Sequence, residues 1–301
     1  MVRQKLLVIG ASGLLGSKLW EEAKSEYDLV GTFNSEYDGK PSFRLEPLDI
    51  GAKDDVEKLF RKTNPEIVIL AAAMTNVDAC EKQPLVANRV NATGPELVAR
   101  NCKKAGAKLV HVSTDYVFDG AKARKYTEED APRPISVYGT SKLAGERAVL
   151  STLPEAIVAR PAVLYGWSPL EQKENFVTWV LRKLRAGERA SLFHDQRISP
   201  TYADDLAKSL IELAGKEVSG IWHVSGPDCL DRPTAGRMIA KEFGLDDNLV
   251  VPVPSSSVSL PARRPKQSCL DVSKAEKLLN RPMVAFADGL RMMREQELSG
   301  R

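Results

Sequence analysis

Short apolar runs alternate with stretches in which apolar residues recur every three or four positions, and this alternation governs the first half of the chain. "KLLVIG" is followed by a helical pattern from about Gly13, "DLVGTF" by one from about Lys53, and "EIVILAAA" by one near 85 to 105, before "AKLVHVS". Such alternation predicts right-handed βαβ units around a parallel sheet. The runs are almost continuously apolar, as strands covered by helices on both faces require. The strand pattern continues at "AIVARP", 156 to 161, and returns at "GIWHVSG", 220 to 226. Helical patterns lie near 174 to 187, 202 to 215, 233 to 243 and 284 to 296, and a Pro/Ser-rich connection, "VPVPSSSVSLPARRP", runs between the last two. The expected fold is α/β, a doubly wound parallel sheet over residues 1–165 to which 199–224 return, with a smaller, discontinuous C-terminal lobe formed mainly by 166–301.

With 301 residues, 43% of them apolar, the chain can build one large domain or two modest ones. Its 43 basic and 40 acidic residues are interspersed, so neither a nucleic-acid surface nor a polybasic membrane anchor is predicted. No apolar run reaches the roughly 18 residues of a membrane span, and the N-terminal run is too short for a secretory signal. A soluble, cytoplasmic protein is expected. Cys80, Cys102, Cys229 and Cys269 are widely separated, with no CxxC pair and no histidine at ligand spacing, and are read as buried thiols with no metal site. His111, His194 and His223 are isolated and read as structural.

Chemistry enters at the end of the first strand. "VIGASGLLG" sets Gly10, Gly13 and Gly16 in a GxxGxxG spacing, with Ser12 in the loop, where glycine allows a tight turn and the free N–H groups of a helix start attract a pyrophosphate. A dinucleotide site is expected there. An acidic residue at the end of the second strand would hold the ribose 2′-hydroxyl of NAD, but the sequence reads "GTFNSE", and Asn34 and Ser35 can donate to a 2′-phosphate. NADP(H) is therefore favoured and NAD(H) stays open, since no arginine stands in the stretch. Asp49 suits an adenine contact or a helix N-cap equally. Ala71, Ala72 and Ala73 would let a cofactor lie against the backbone, or pack tightly against a helix.

"VHVSTDYVFDG" places Ser113, Thr114 and Asp115 just past a strand, at the carboxyl edge where open α/β sheets bind ligands. Beyond it "VYGTSKLAGE" puts Tyr138 four residues before Lys142, one above the other on what looks like an ordinary amphipathic helix. Through "GASGLLG", "AAAMTNVDACEKQP", "VNATGP", "STDYVFDG", "YGTSKLAGE" and "DQRISPT" the chain resembles, over nearly its whole length, the dTDP-4-dehydrorhamnose reductase family of the extended short-chain dehydrogenase/reductases, which have a Rossmann-type fold. The resemblance implies a triad in which Thr114 binds a carbonyl oxygen, Tyr138 is the acid, and Lys142 orients the nicotinamide ribose and lowers the tyrosine pKa. It also places Gly13, Leu14, Leu15, Asp49, Ile50, Ala73, Met74 and Thr75 at the cofactor, and Thr114 and Asp115 at a nucleotide-linked sugar. Asp115 would alternatively cap the following turn. Asn91 matches a helix position that shapes the site or makes an internal hydrogen bond.

At Val163, in "RPAVLYG", rhamnose-pathway enzymes commonly carry a tryptophan against the sugar. In this, in "ARRPKQSCLDVSKAEKL" and in "WHVSG", the chain is also similar to the regulatory β subunit of methionine adenosyltransferase, which implies an NADP-binding subunit with that enzyme as partner. An epimerase or dehydratase of nucleotide sugars is a third expectation. A homodimer is left open, as is whether "HDQRISPT" closes over a substrate or is only a surface loop leading into the helix at Tyr202.

Overall fold

The computed structural model describes residues 3–34, 45–168 and 174–300; Ser35 lies outside them. In chain order come β1 (Lys5–Ile9), α1 (Leu14–Ala23), β2 (Asp28–Phe33), β3 (Leu45–Pro47), α2 (Lys53–Thr63), β4 (Ile67–Leu70), α3 (Val77–Lys82), α4 (Pro84–Asn88), α5 (Gly94–Ala105) and β5 (Lys108–Val112). There follow α6 (Val137–Thr152), β6 (Ile157–Arg160), β7 (Leu164–Tyr165), α7 (Phe176–Arg185), β8 (Ala190–Phe193), β9 (Arg197–Ile198), β10 (Thr201–Tyr202) and α8 (Ala203–Ala214). The chain ends through β11 (Gly220–His223), β12 (Leu230–Asp231), α9 (Arg232–Glu242), β13 (Val250–Val253), α10 (Ser273–Leu279) and α11 (Phe286–Leu298).

Seven strands form one parallel sheet in the order β3-β2-β1-β4-β5-β6-β11. This is the doubly wound arrangement, with the winding reversed between β1 and β4, so that the loops after these strands diverge and leave a crevice. Alternation along β1 shows why both faces are covered. Leu6 and Val8 pack with Leu19, Leu206 and Leu210 of α1 and α8, while Leu7 and Ile9 pack with Val56, Val98 and Val149 of α2, α5 and α6. Each such side chain is worth ~1.5–3 kcal/mol of apolar burial. A separate core of Val177, Val180, Leu192, Ile239, Val250 and Leu290 lies among α7, α9, α11 and the β8–β13 pair.

The helix read near 85 to 105 is divided into α4, a π-helical turn over Arg89–Thr93, and α5, with the separate short helix α3 before it. Pro84 and Pro95 fall in first helical turns, where their missing N–H groups cost nothing. β3 and the two-residue strands β7, β9, β10 and β12 are too short for periodicity to reveal. No helix among the described residues is long and apolar enough to cross a membrane.

Candidate functional site

The glycine loop closes between β1 and α1. Gly10 has φ +93°, and a Cβ there would stand 2.7 Å from the Ala72 nitrogen, so the first glycine is required both by its turn and by the strand end beside it. Its amide donates to the Thr32 hydroxyl at 3.0 Å, which spends on the fold one of the polar groups at the end of β2. Gly13 is the N-cap of α1 and offers no side-chain cap, and the first turn of the helix carries no acidic residue. The N–H groups of that turn thus keep their affinity for an anion. Ser12, Leu14, Leu15 and Gly16 follow from the same loop and turn, and Ala71, Ala72 and Ala73 line the facing end of β4. These small residues fit a dinucleotide laid across the switch point of the sheet.

Asp49 caps no helix. Ala52 stands at the N-cap of α2, while the Asp49 carboxylate accepts from Arg89 Nη1 at 2.7 Å and from the Gly51 amide at 2.9 Å. The Arg89 hydrogen bond holds its pKa below the ordinary range. Ile50, buried next to it, packs in the core of the α2 face. Asn91, buried in the π-helical turn, accepts from the Met74 amide at 2.8 Å and donates to the Met74 carbonyl at 3.0 Å and to Ser141 at 3.1 Å. It therefore fixes the Met74–Thr75 backbone from outside its own helix.

α6 departs from the expected amphipathic helix. Its buried side includes Tyr138, Ser141, Lys142 and Glu146, all polar and all within the protein. Ser136 caps its start, accepting from the Gly139 amide, and Glu81 accepts from the Val137 amide at 2.8 Å. Lys142 donates to the Val112 carbonyl at 2.7 Å. Glu146 holds Arg160 through two bonds, of 2.8 and 2.6 Å, and also accepts from Ser113. Both members of the pair are almost fully buried, so each charge depends on the other. Burial pulls the Lys142 pKa down to about 8, against the attraction of Glu146.

Thr114, at the end of β5, caps the short turn over Asp115–Val117 by accepting from the Tyr116 amide at 3.2 Å, and donates to Asp115 Oδ1 at 3.0 Å. The capping role considered for Asp115 thus belongs to its neighbour. Burial raises the Asp115 pKa to about 6, opposed by the Ser268 and Thr114 hydroxyls that face it, and Oδ2 lies buried without a well-formed hydrogen bond. Burial likewise pushes Tyr138 above the ordinary phenol range, with the Thr114 hydroxyl opposing and Asp115 adding to the rise. Burial thus outweighs the lowering expected from Lys142, whose ammonium donates to the Val112 carbonyl. A raised pKa keeps the phenol protonated, the form an acid needs.

Val163 has φ +34°, a left-handed backbone that β-branched residues rarely adopt. It is held there by its carbonyl, which accepts from the Thr201 amide at 3.0 Å. Sequence reading missed Arg232, at the start of α9. Its charge acts on both Tyr116 and Asp115, its Nε donates to Gln196 at 3.1 Å, and its guanidinium stacks over Phe176 at 5.3 Å. Arg264 is clamped in bidentate fashion by Asp78, at 2.8 and 3.1 Å, which ties the 262–272 strap to α3. "HDQRISPT" is no surface loop: Arg197–Ile198 form β9, paired with β12, and Gln196 is buried against Arg232.

The cysteine reading needs correction. Cys80 and Cys102 are buried thiols, and burial pushes the former up to about 11, but Cys229 and Cys269 form a disulfide with a Cα–Cα distance of 5.4 Å. A separation of 40 residues gives no sequence signal for pairing, which fold topology alone creates.

The RmlD substrate-binding-domain model matches residues 4–298. A probable low-salt glycan biosynthesis reductase of Haloferax volcanii is 37% identical over 89% of this chain and 90% of its own length. A dTDP-4-dehydrorhamnose reductase of Mycobacterium tuberculosis is 39% identical over 89% and 84%. The β subunit of mouse methionine adenosyltransferase 2 is 32% identical over 96% and 86%. Among solved structures, a dTDP-4-dehydrorhamnose reductase of Bacillus anthracis, in complex with NADP, superposes with a TM-score of 0.88 at 32% identity, covering 98% of this chain and all of that one. The chain belongs to the RmlD, or dTDP-4-dehydrorhamnose reductase, family of the extended short-chain dehydrogenase/reductases.

Proposed function

We propose that this protein is an NADPH-dependent reductase of a nucleotide-linked 4-keto-6-deoxy sugar, with NAD(H) as a weaker alternative cofactor. One observation carries most of the weight: Thr114, Tyr138 and Lys142 are buried together past the end of β5, at the same carboxyl edge of the parallel sheet as the start of α1, which has no acid and no cap. Gly10, Ser12, Gly13, Leu14, Leu15 and Gly16 would hold the pyrophosphate, Asn34 and Ser35 the 2′-phosphate, and Asp49 and Ile50 the adenine. Ala71, Ala72, Ala73, Met74 and Thr75 would carry the nicotinamide half, with Lys142 at its ribose. Reduced nicotinamide supplies the hydride. Thr114 would turn its one hydroxyl proton from Asp115 Oδ1 to the C4 carbonyl oxygen, and Tyr138 would give its proton to the alkoxide. Asp115 and Val163 would face the sugar, and the Arg232 guanidinium would meet its diphosphate. In this reading residues 1–165 with 199–224 serve the dinucleotide and 166–301 mainly the sugar, in the cytoplasm, with a homodimer compatible.

The test is NADPH consumption with dTDP-4-keto-6-deoxy-L-lyxo-hexulose, which Tyr138→Phe should lower about 100-fold or more while NADPH still binds. A second reading, an NADP-binding regulatory subunit, is favoured by the mouse relative, which matches 96% of the chain. Tight NADP binding with no turnover, and co-purification with a methionine adenosyltransferase, would replace the first reading by the second.

A further inference from the structure

Three segments of the smaller lobe are laced together above the catalytic residues. The Arg197 amide donates to the Lys266 carbonyl at 2.7 Å, the Ser268 amide donates to the Arg197 carbonyl at 3.1 Å, and Arg197 Nη2 donates to the Cys229 carbonyl at 2.9 Å. Ser199 adds a bond to the Asp228 carbonyl at 2.7 Å. β9 is thus the middle thread between residues 228–232 and 266–271, and Cys229–Cys269 is the covalent tie between the outer two. Leu270, next to Cys269, packs against Val117 and Phe118 of the segment that follows Asp115, which brings this thread to the site. Ser268, whose hydroxyl acts on the Asp115 carboxyl, precedes Cys269, and Arg232, whose charge reaches it, comes three residues after Cys229.

We propose that the Cys229–Cys269 disulfide is a clasp that positions Ser268 and Arg232 over Asp115, so that its reduction loosens the grip on the nucleotide-linked substrate and leaves the dinucleotide site unchanged. The inference rests on the reductase function proposed above. Once the tie is cut, no covalent bond joins the two outer threads to each other, and they are linked through the hydrogen bonds of β9, each worth only about 1 kcal/mol net. Preorganised contacts lose most of their value when they are displaced by a fraction of an ångström to an ångström. The glycine loop, by contrast, is built on β1 and α1, which supply no part of the clasp. Cys269 is fully buried and Cys229 is partly open, so a dithiol would attack the Cys229 sulfur. Two electrons and two protons pass to the protein, the S–S bond becomes two thiols, and the dithiol closes to its own disulfide.

The full chain is compared in its oxidised form, after treatment with dithiothreitol, and as Cys229→Ser/Cys269→Ser, well below its melting temperature. Reduction should raise KM for the nucleotide sugar about tenfold, with kcat changed by less than about threefold and the Kd for NADP unaltered. The double variant should match the reduced protein and ignore dithiothreitol, and Ser268→Ala in the oxidised chain should raise the same KM. A lower melting temperature is common to any structural disulfide and decides nothing; an unchanged KM, or an NADP Kd that moves in step with KM, overturns the clasp. Amide exchange needs no substrate: residues 113–118 and 230–236 should exchange faster on reduction, and unaltered exchange there overturns the proposal too. An oxidised protein that binds NADP but turns over no nucleotide sugar sinks the reductase assignment, and the exchange result then decides the clasp independently.

Discussion

Replacing Asp115 by Asn should stabilise the protein at neutral pH and lose that advantage in acid. Burial raises the carboxyl pKa from 3.8 to about 6. The difference is about two pH units, and at ~1.36 kcal/mol per unit the ionised form costs at most ~3 kcal/mol of folding free energy. The folded protein binds this proton more tightly than the unfolded chain, so stability falls as pH rises through the window between about 4 and 6. Above the window the wild type bears the whole cost, and below it none. Asn at this position accepts from Thr114 without ionising. Urea unfolding of both proteins at about pH 4 and pH 7 gives the result directly: the variant should gain up to ~3 kcal/mol over the wild type at pH 7 and little at pH 4, while turnover falls. A difference that is the same at both pH values, or that favours the wild type more at pH 7, would refute the account.

Gly10→Ala should abolish tight NADP binding and cost ~1–3 kcal/mol of stability, since the new Cβ must displace the Ala72 backbone; calorimetry and thermal melts read both. Glu146→Gln should cost ~3–5 kcal/mol by leaving the Arg160 charge buried without its carboxylate, and Glu146→Gln/Arg160→Met should recover much of the loss in chemical denaturation. Val163→Gly should raise unfolding free energy by ~1 kcal/mol through relief of a left-handed backbone, yet weaken sugar binding; a fall in melting temperature would count against stored strain.

Sheet, crossover helices and glycine loop were legible because each rests on local periodicity that one segment carries by itself: β1 shows the near-continuous run of a strand covered on both sides, and Gly10 stands where the loop must turn. The Tyr138–Lys142 pair was legible as spacing, but its surroundings were not. Nothing in "YGTSKLAGE" says that Glu146 will meet Arg160, because that pairing depends on α6 lying over β6. The Cys229–Cys269 bond and Gln196 escaped for the same reason, both lying in short segments without periodicity joined by topology, and Arg232 escaped because its partners Gln196 and Phe176 are remote from it in sequence. The direction of the Tyr138 shift was missed because spacing supplies a cation and says nothing of desolvation.

The two ends of the site are not assembled independently. Met74 closes the strand end proposed for the nicotinamide, and Tyr138 opens the catalytic helix; between them Asn91 binds the Met74 backbone on both sides and donates to Ser141, whose hydroxyl donates to the Tyr138 carbonyl at 2.8 Å. A Cβ on Gly145, one turn further along α6, would stand 2.2 Å from the Asn91 carbonyl oxygen, so helix and π-helical turn are in backbone contact. Such a chain passes small displacements of one partner to the other, because Asn91, Ser141 and Tyr138 are buried and have little water to exchange for their hydrogen bonds. On the reductase function proposed above, the distance between hydride donor and proton donor would thereby be set by a structural asparagine rather than by either reacting group, the positioning role that the helical place of Asn91 in the sequence left undecided.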